Sequence, residues 1–454
     1  MKKLIISAIA LLLAGSMAFA QTGTQTGTQT GTQADSVKHS LNVGLHFLTH
    51  GEICAGGLPR ASLSTEGRSA FIMGRVRVLA DYQYKQWFQT HLTLQNNAVW
   101  GMNGNLSVGL YEGWVKATAP FGLFAQVGRI ALSYDDERII GTNDFANASR
   151  SHDALRVGYE GYGHKVHAIL SFNQNGGNVY YGTYYVGGAQ PYKSMQTLWY
   201  HYDIPVFPLG VSLLFMNMGL QAGEEGSVYN PPRTVYQQMY GGYLNYHPKY
   251  VTVEGAYYRQ SGRWVGEGMG AIPIQAWMAS AKASINPSSR YGFVLGYDYL
   301  SGDNYVPVTY GGQLGMVHHD VIRGFSPITG SRTKFYGLLD YFYESAYING
   351  FTPGLQNAFI GASGKPWKGL DCGITYHYLA VATQLKDLGS TLGHSVDVQL
   401  GYTFNSFIAL SVGYTYMMGT ETMARLKQEG VGQHAHWGWF SLVVSPTLFS
   451  KKWK

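Results

Sequence analysis

The sequence predicts an all-β chain: a membrane-spanning, antiparallel up-and-down β-barrel of about 18 strands. Three observations carry this reading. Apolar and polar residues alternate with period two in segment after segment. Connections are short at one end of these segments and long at the other. After residue 20 no apolar run is long enough to span a bilayer as a helix.

The alternation is clear from Phe71 to Lys85, where the even positions Ile72, Val76, Val78, Ala80, Tyr82 and Tyr84 are mostly apolar. The odd positions include Arg75, Arg77, Asp81, Gln83 and Lys85. Phe88, Leu92 and Leu94 then alternate with Gln89, His91, Thr93 and Gln95. Late in the chain Val396, Val398, Leu400, Tyr402 and Phe404 alternate with Ser395, Asp397, Gln399 and Thr403. Each such strand has one apolar face and one polar face. A soluble sandwich would alternate too, but with short connections at both ends. Here tight turns such as Ala119–Gly122, Asn286–Ser289 and Phe404–Phe407 alternate with polar stretches of roughly 6 to 50 residues, which is the outer-membrane pattern.

Strands are expected near 40–49, 67–84, 88–101, 106–118, 122–134, 154–162, 165–174, 196–204 and 210–220. The others fall near 237–247, 250–261, 276–286, 291–300, 355–363, 370–383, 393–404, 407–419 and 436–448. An even count places both barrel ends on the periplasmic side. In hydrocarbon every N–H and C=O must be paired internally, and a closed sheet does this without an edge. The polar faces then line a lumen wide enough for water. The 59 glycines, 35 tyrosines and 10 tryptophans fit many short strands with aromatic ends at the membrane interfaces.

The N-terminus reads as an export signal at 1–20: Lys2 and Lys3, an apolar run from Leu4 to Gly15, and the small–x–small Ala18-Phe19-Ala20. A polar TGTQ-repeat linker at 21–37 follows, then the barrel at 38–454, placed in the outer membrane against its lipid. Without the signal's two lysines, 30 basic residues face 26 acidic ones, a balance too mild to argue for nucleic acid. Cys54 is expected in the first outer loop and Cys372 at the periplasmic start of a strand, too far apart for a disulfide.

One stretch departs from this charge-poor background. Residues 128–160 hold ten charged side chains in 33 positions, in a chain that is only 13% charged. They span the end of the fifth strand, an outer loop and the start of the sixth. Charge is costly against lipid and tolerated toward the lumen, so the cluster is expected inside the pore and at its outer mouth. With neighbouring strands it nominates Arg75, Arg77, Lys116, Arg129, Arg138, Arg150 and Arg156 as pore-lining cations. Asp81, Glu112, Asp136, Glu137, Asp153 and Glu160 are expected as their ion-pair partners. Arginine suits repeated carboxylates, because its planar fork engages two oxygens and stays charged. The same ions could instead brace the wall or fold a loop inward.

The run G-R-x-x-L-x-Y-x-D-E-R-x-x-G at 128–141, followed by D-F-x-N-x-x-R-S-x-D-A-L-R at 144–156, resembles the alginate export porin family. The stretches 334–342 (KFYGLLDYF) and 393–398 (GHSVDV) resemble it as well. Departures are Asp135, Phe145 and His152, where that family usually has Gly, Trp and an aromatic. The resemblance implies an arginine-lined constriction passing an anionic, alginate-like polyuronate outward, fed by periplasmic export partners. Arg129, Arg138, Arg150 and Arg156 match the motif's basic positions, and Asp136, Glu137 and Asp153 its acidic ones.

Other readings compete. A diffusion porin for small anionic or neutral solutes would use the same barrel, and an adhesin would use the long segment near 301–354. Asp135-Asp136-Glu137 lacks the glycine-punctuated spacing of a calcium loop. His318-His319-Asp320 and His434/His436 are expected in outer loops without zinc spacing, so no cofactor is expected. There is no G-x-S-x-G or H-E-x-x-H motif, and no enzymatic activity is expected.

Overall fold

The computed structural model describes residues 38–56, 68–102, 108–145, 149–174, 183–185, 188, 190–265, 271–303, 307–310, 313–316, 320–331, 334–339, 352–385, 388–427 and 434–454. The expected signal peptide and linker lie outside the described residues, as do His318 and His319.

Alternating strands joined by tight turns pair with their sequence neighbours, and the last strand returns to the first. The product is a closed antiparallel barrel of 18 strands. They are β1 (His39–Gly56), β2 (Arg68–Tyr84), β3 (Phe88–Val99), β4 (Val108–Thr118), β5 (Leu123–Ile130) and β6 (His152–Gly161). Next come β7 (His164–Phe172), β8 (Ser194–Asp203), β9 (Leu209–Ala222), β10 (Arg233–Tyr246), β11 (Val251–Trp264) and β12 (Ala276–Ile285). The ring continues through β13 (Tyr291–Leu300), β14 (Leu355–Gly364), β15 (Leu370–Ala380), β16 (Thr391–Asn405) and β17 (Ile408–Gly419). β18 runs in two pieces, His434–Val444 and Thr447–Trp453, which pair β1 through Phe47↔Val444 and His39↔Trp453. Between them Pro446 has no N–H to give, yet its carbonyl still accepts from Leu45 N at 3.1 Å. Every segment expected from the alternation is one of these strands.

The faces follow the alternation. On β16, Val398, Leu400 and Tyr402 are exposed, whereas Asp397 and Gln399 are buried toward the interior. Among the boundaries that differ from expectation, two move residues of interest. β1 extends to Gly56, so Cys54 sits in the wall, and Cys54 and Cys372 do not bridge each other. β5 stops at Ile130, because the Ala131 N–H is taken by the Glu112 side chain at 3.1 Å and the chain leaves the ladder. His434 and His436 also stand in the wall, on β18, where they bond Tyr416 and Tyr414.

The interior is not an empty tube. The described residues of the loop at 131–151 fold inward and meet part of the loop at 301–354. Ile140 bridges Thr329, Gly141 N donates to Thr329 O at 2.9 Å, and Ser331 N donates to Glu137 O at 2.9 Å. Leu132, Tyr134, Ile139 and Ile140 pack in a buried cluster with inward-facing Met195, Met216, Met239 and Met278. Each such side chain contributes about 1.5–3 kcal/mol on burial, so the loop is held as part of a core. A two-turn helix, α1 (Glu421–Lys427), lies in the last loop with Met423 and Leu426 buried.

Candidate functional site: an inward-folded loop and the lumen beneath it

The loop at 131–151 starts and ends on adjacent strands yet reaches most of the barrel wall. Three non-glycine residues, Asp135, Glu137 and Asn143, take left-handed backbone angles with φ of 52°, 67° and 50°. Asp and Asn tolerate that region better than other residues. These turns fan successive side chains toward different walls. Asp135 accepts from Trp199 Nε1 at 3.2 Å and Ser212 Oγ at 2.5 Å, on β8 and β9. Burial pushes its carboxyl up from the ordinary range. Asp136 pairs with Arg138 at 3.2 Å, and Glu137 turns back to Lys334 at 2.6 Å and Ser331 at 2.9 Å. The three adjacent carboxylates therefore diverge, and no shared cation position lies between them.

Arg138 is the main anchor. Its guanidinium meets Asp298 on β13 at 3.2 Å and donates to Ser280 Oγ at 3.1 Å and Tyr336 Oη at 3.0 Å, with the Phe335 ring 4.0 Å away. Burial opposes its charge, but Asp298, Tyr336 and Asp136 hold it well above even arginine's usual range. At the far tip, Asp144 binds Arg75 at 3.1 Å and Arg77 at 2.9 Å, both on β2 and only 2% exposed. Arg77 also donates to Gln95 at 2.6 Å and lies 3.9 Å over the Tyr111 ring. The next residue, Phe145, packs edge-on against His50 and Trp439, with Trp437 beside it. Arg150 holds the loop's return by donating to Gly330 O at 3.0 Å. The loop thus crosses the lumen as a strut.

Beneath the strut the lumen keeps two cations, Lys116, which makes no bond to the loop among the described residues, and Arg156, which the loop engages only through Tyr134. Lys116 (β4) and Arg156 (β6) flank the Phe124 ring, with centroid distances of 4.2 and 5.6 Å. Arg156 donates to Gln126 and, at 3.3 Å, to Tyr134 Oη. Glu160 accepts from His167 at 3.0 Å, and Tyr134 Oη also meets His167 Nδ1 at 2.9 Å. To one side, His91 bridges Asp81 at 2.6 Å and Glu112 at 3.6 Å, and its ring stacks 5.5 Å from Trp114. Two partly open cations beside aromatic faces can receive a small carboxylate and release it again.

The nominated residues therefore divide. Lys116, Arg156 and Glu160 face the lumen below the strut. Arg75, Arg77, Arg138 and Arg150 point inward but are spent on holding the loop, as are Asp136 and Glu137. Asp81 and Glu112 pair His91 rather than arginines. Arg129 and Asp153 correct the expectation. They form a two-pronged pair at 2.9 and 2.6 Å across β5 and β6, on the outward side shared with Val127 and Leu155. Strand parity decides this: Phe124, Gln126 and Ile130 take the inner face of β5. Sequence reasoning missed Asp144 as a clamp, Asp298 as the partner of Arg138, and the Phe145 pocket. Asp298 carried a signal, since it stands at an inward position of β13 among Gly296 and Leu300.

No family model matches the chain, and no curated protein matches it. The resemblance to alginate export porins thus rests on the quoted motifs alone. Likeness to solved structures is in fold. Pseudomonas aeruginosa OccK2 (OpdF) matches with a TM-score of 0.58 at 12% identity, over 90% of this chain and 98% of that one. The same protein in complex with glucuronate matches with a TM-score of 0.57 at 12% identity, with the same coverage. Acinetobacter baumannii OccAB1 matches with a TM-score of 0.57 at 10% identity, over 90% of this chain and 97% of that one.

Proposed function

We propose that the chain is an outer-membrane diffusion pore selective for small carboxylate-bearing solutes, and not a polysaccharide exporter. The observation that carries this reading is the strut. A loop anchored at once to β2, β8, β9 and β13 leaves an extended polymer no wide passage, while a small solute can pass beside it. Lys116 and Arg156, set on either side of Phe124, are the lumen cations such a solute would meet. The barrels matched in fold are outer-membrane diffusion porins, one of them solved with glucuronate, a sugar acid. The exporter reading keeps the motif, but most of the motif's charges hold the strut.

Liposome swelling with glucuronate, glucose and a short oligouronate tests the proposal. Glucuronate should enter several-fold faster than glucose, and the oligouronate should be excluded. Changing Lys116 and Arg156 together to Ala should equalise glucuronate and glucose, since the counter-charges would be gone. Entry of the oligouronate at the rate of glucuronate would return the argument to export.

A further inference from the structure

The outward wall from β11 to β15 is lined by small and aromatic side chains in turn. It holds an open groove of about 470 Å³. Ala281, Ala283 and Ala358 form its floor, and Tyr297, Ile360 and Tyr376 stand as its walls. The tyrosines are fixed: Tyr297 Oη donates to Gln356 at 2.6 Å, and Tyr376 Oη meets His394 Nδ1 at 2.6 Å. Alanines beside tyrosines leave a channel in a surface that lipid chains must cover, and rigid walls keep it from collapsing.

Above the groove, on the same face of β11, stand Arg259 and Arg263. Both are exposed, and neither side chain makes a hydrogen bond or ion pair among the described residues. No carboxylate shares the outward face of the described residues of β11–β15. Arg259 lies opposite Trp277, and four residues along β11 Gly255 lies opposite the groove residue Ala281. At about 3.4 Å per residue that offset is about 14 Å along the strand, which at a strand tilt of about 40° is about 10 Å of depth, close to half of a barrel's apolar band about 25 Å tall. The arginines are at the strand end joined to a long loop, which is the outer side. The cations therefore sit at headgroup depth and the groove at chain depth.

We propose that this wall binds one phosphorylated glycolipid of the outer leaflet, with its phosphates on Arg259 and Arg263 and an acyl chain in the groove. The inference rests on the outer-membrane reading but not on what the pore passes. Guanidinium forks engage phosphate oxygens in pairs, and their attraction is strengthened where water is scarce. A second copy of the chain is a poorer occupant, because a groove facing its own copy stays unfilled and brings arginines toward arginines.

Native mass spectrometry of the folded full chain in detergent tests this, with diphosphoryl lipid A as one probe and phosphatidylglycerol as the other. One lipid A should be retained per barrel, in preference to phosphatidylglycerol. Arg259→Ala with Arg263→Ala should weaken retention about thirtyfold, since each of the two interfacial cations contributes about 1 kcal/mol. Ala281→Phe, which fills the groove, should weaken it independently, with heat-modifiable gel mobility confirming that both variants fold. Unchanged retention in either variant, equal retention of phosphatidylglycerol, or a dimer that Ala281→Phe dissociates would each overturn the proposal. Loss of glucuronate selectivity in swelling assays would sink the pore reading and leave this result standing.

Discussion

Asp144→Asn is the sharpest perturbation of the strut. The carboxylate binds two guanidiniums that are each 2% exposed, at 3.1 and 2.9 Å, and also accepts from Ser149 at 2.5 Å. An amide keeps the size but offers one acceptor, and turns an N–H toward a cation. Removing one partner of a buried pair costs about 3–5 kcal/mol, because the remaining charge is left uncompensated. Asp144 is itself 20% exposed, so lumen water screens part of the loss; a figure of about 2–3 kcal/mol is reasonable for this site. That corresponds to a shift of about 30- to 150-fold in the docked-to-undocked ratio of the loop tip. Phe145 would leave its pocket with it, while Arg138 and Asp135 keep the near half of the loop in place. Single-channel recordings should show a larger, noisier conductance, and reversal potentials under a salt gradient should move toward anions as Arg75 and Arg77 become accessible. Adding Arg75→Gln should recover part of the lost stability. Unchanged conductance and selectivity in Asp144→Asn would mean that this clamp does not position the loop, and the occlusion argument would fail.

Three further outcomes follow from the geometry. Val398→Arg should impair assembly more than Gln399→Arg, by about 2–4 kcal/mol for a cation placed against hydrocarbon; equal heat-modifiable mobility of the two would refute the facing of β16. Arg129→Ala should leave ion selectivity unchanged, because that guanidinium is spent outside the lumen on Asp153, and a shift toward cations in reversal potential would place it back inside. Asp135→Asn tests a buried acid. Because burial raises its carboxyl above the unfolded value, its stabilising share is full below the ordinary carboxylate range and fades as pH rises through the raised value. Thermal stability of the parent should therefore fall across that window more than in Asp135→Asn, and parallel pH profiles would rule out a burial effect.

The barrel was legible in the chain because its determinants are local. Alternation at Val396–Phe404 needs only the two environments on either side of a wall, and tight turns such as Ala119–Gly122 need only their own residues. Backbone pairing in hydrocarbon then closes the sheet whatever the remaining sequence. The charged stretch was legible as exceptional, and its rough place inside the barrel followed from the cost of charge against lipid. Its division of labour was not. Arg129 takes the outward parity of β5 with Val127, and what lets a cation stand there is Asp153 on the next strand. The roles of Arg75, Arg77 and Arg138 depended on Asp144 and Asp298, carboxylates 69 and 160 residues away in sequence from Arg75 and Arg138. Long-range ion pairs inside a lumen carry no periodic signature, because a loop that crosses the barrel can meet any strand. Alternation therefore determines the wall, and only the folded loop determines which charges are left free to meet a solute.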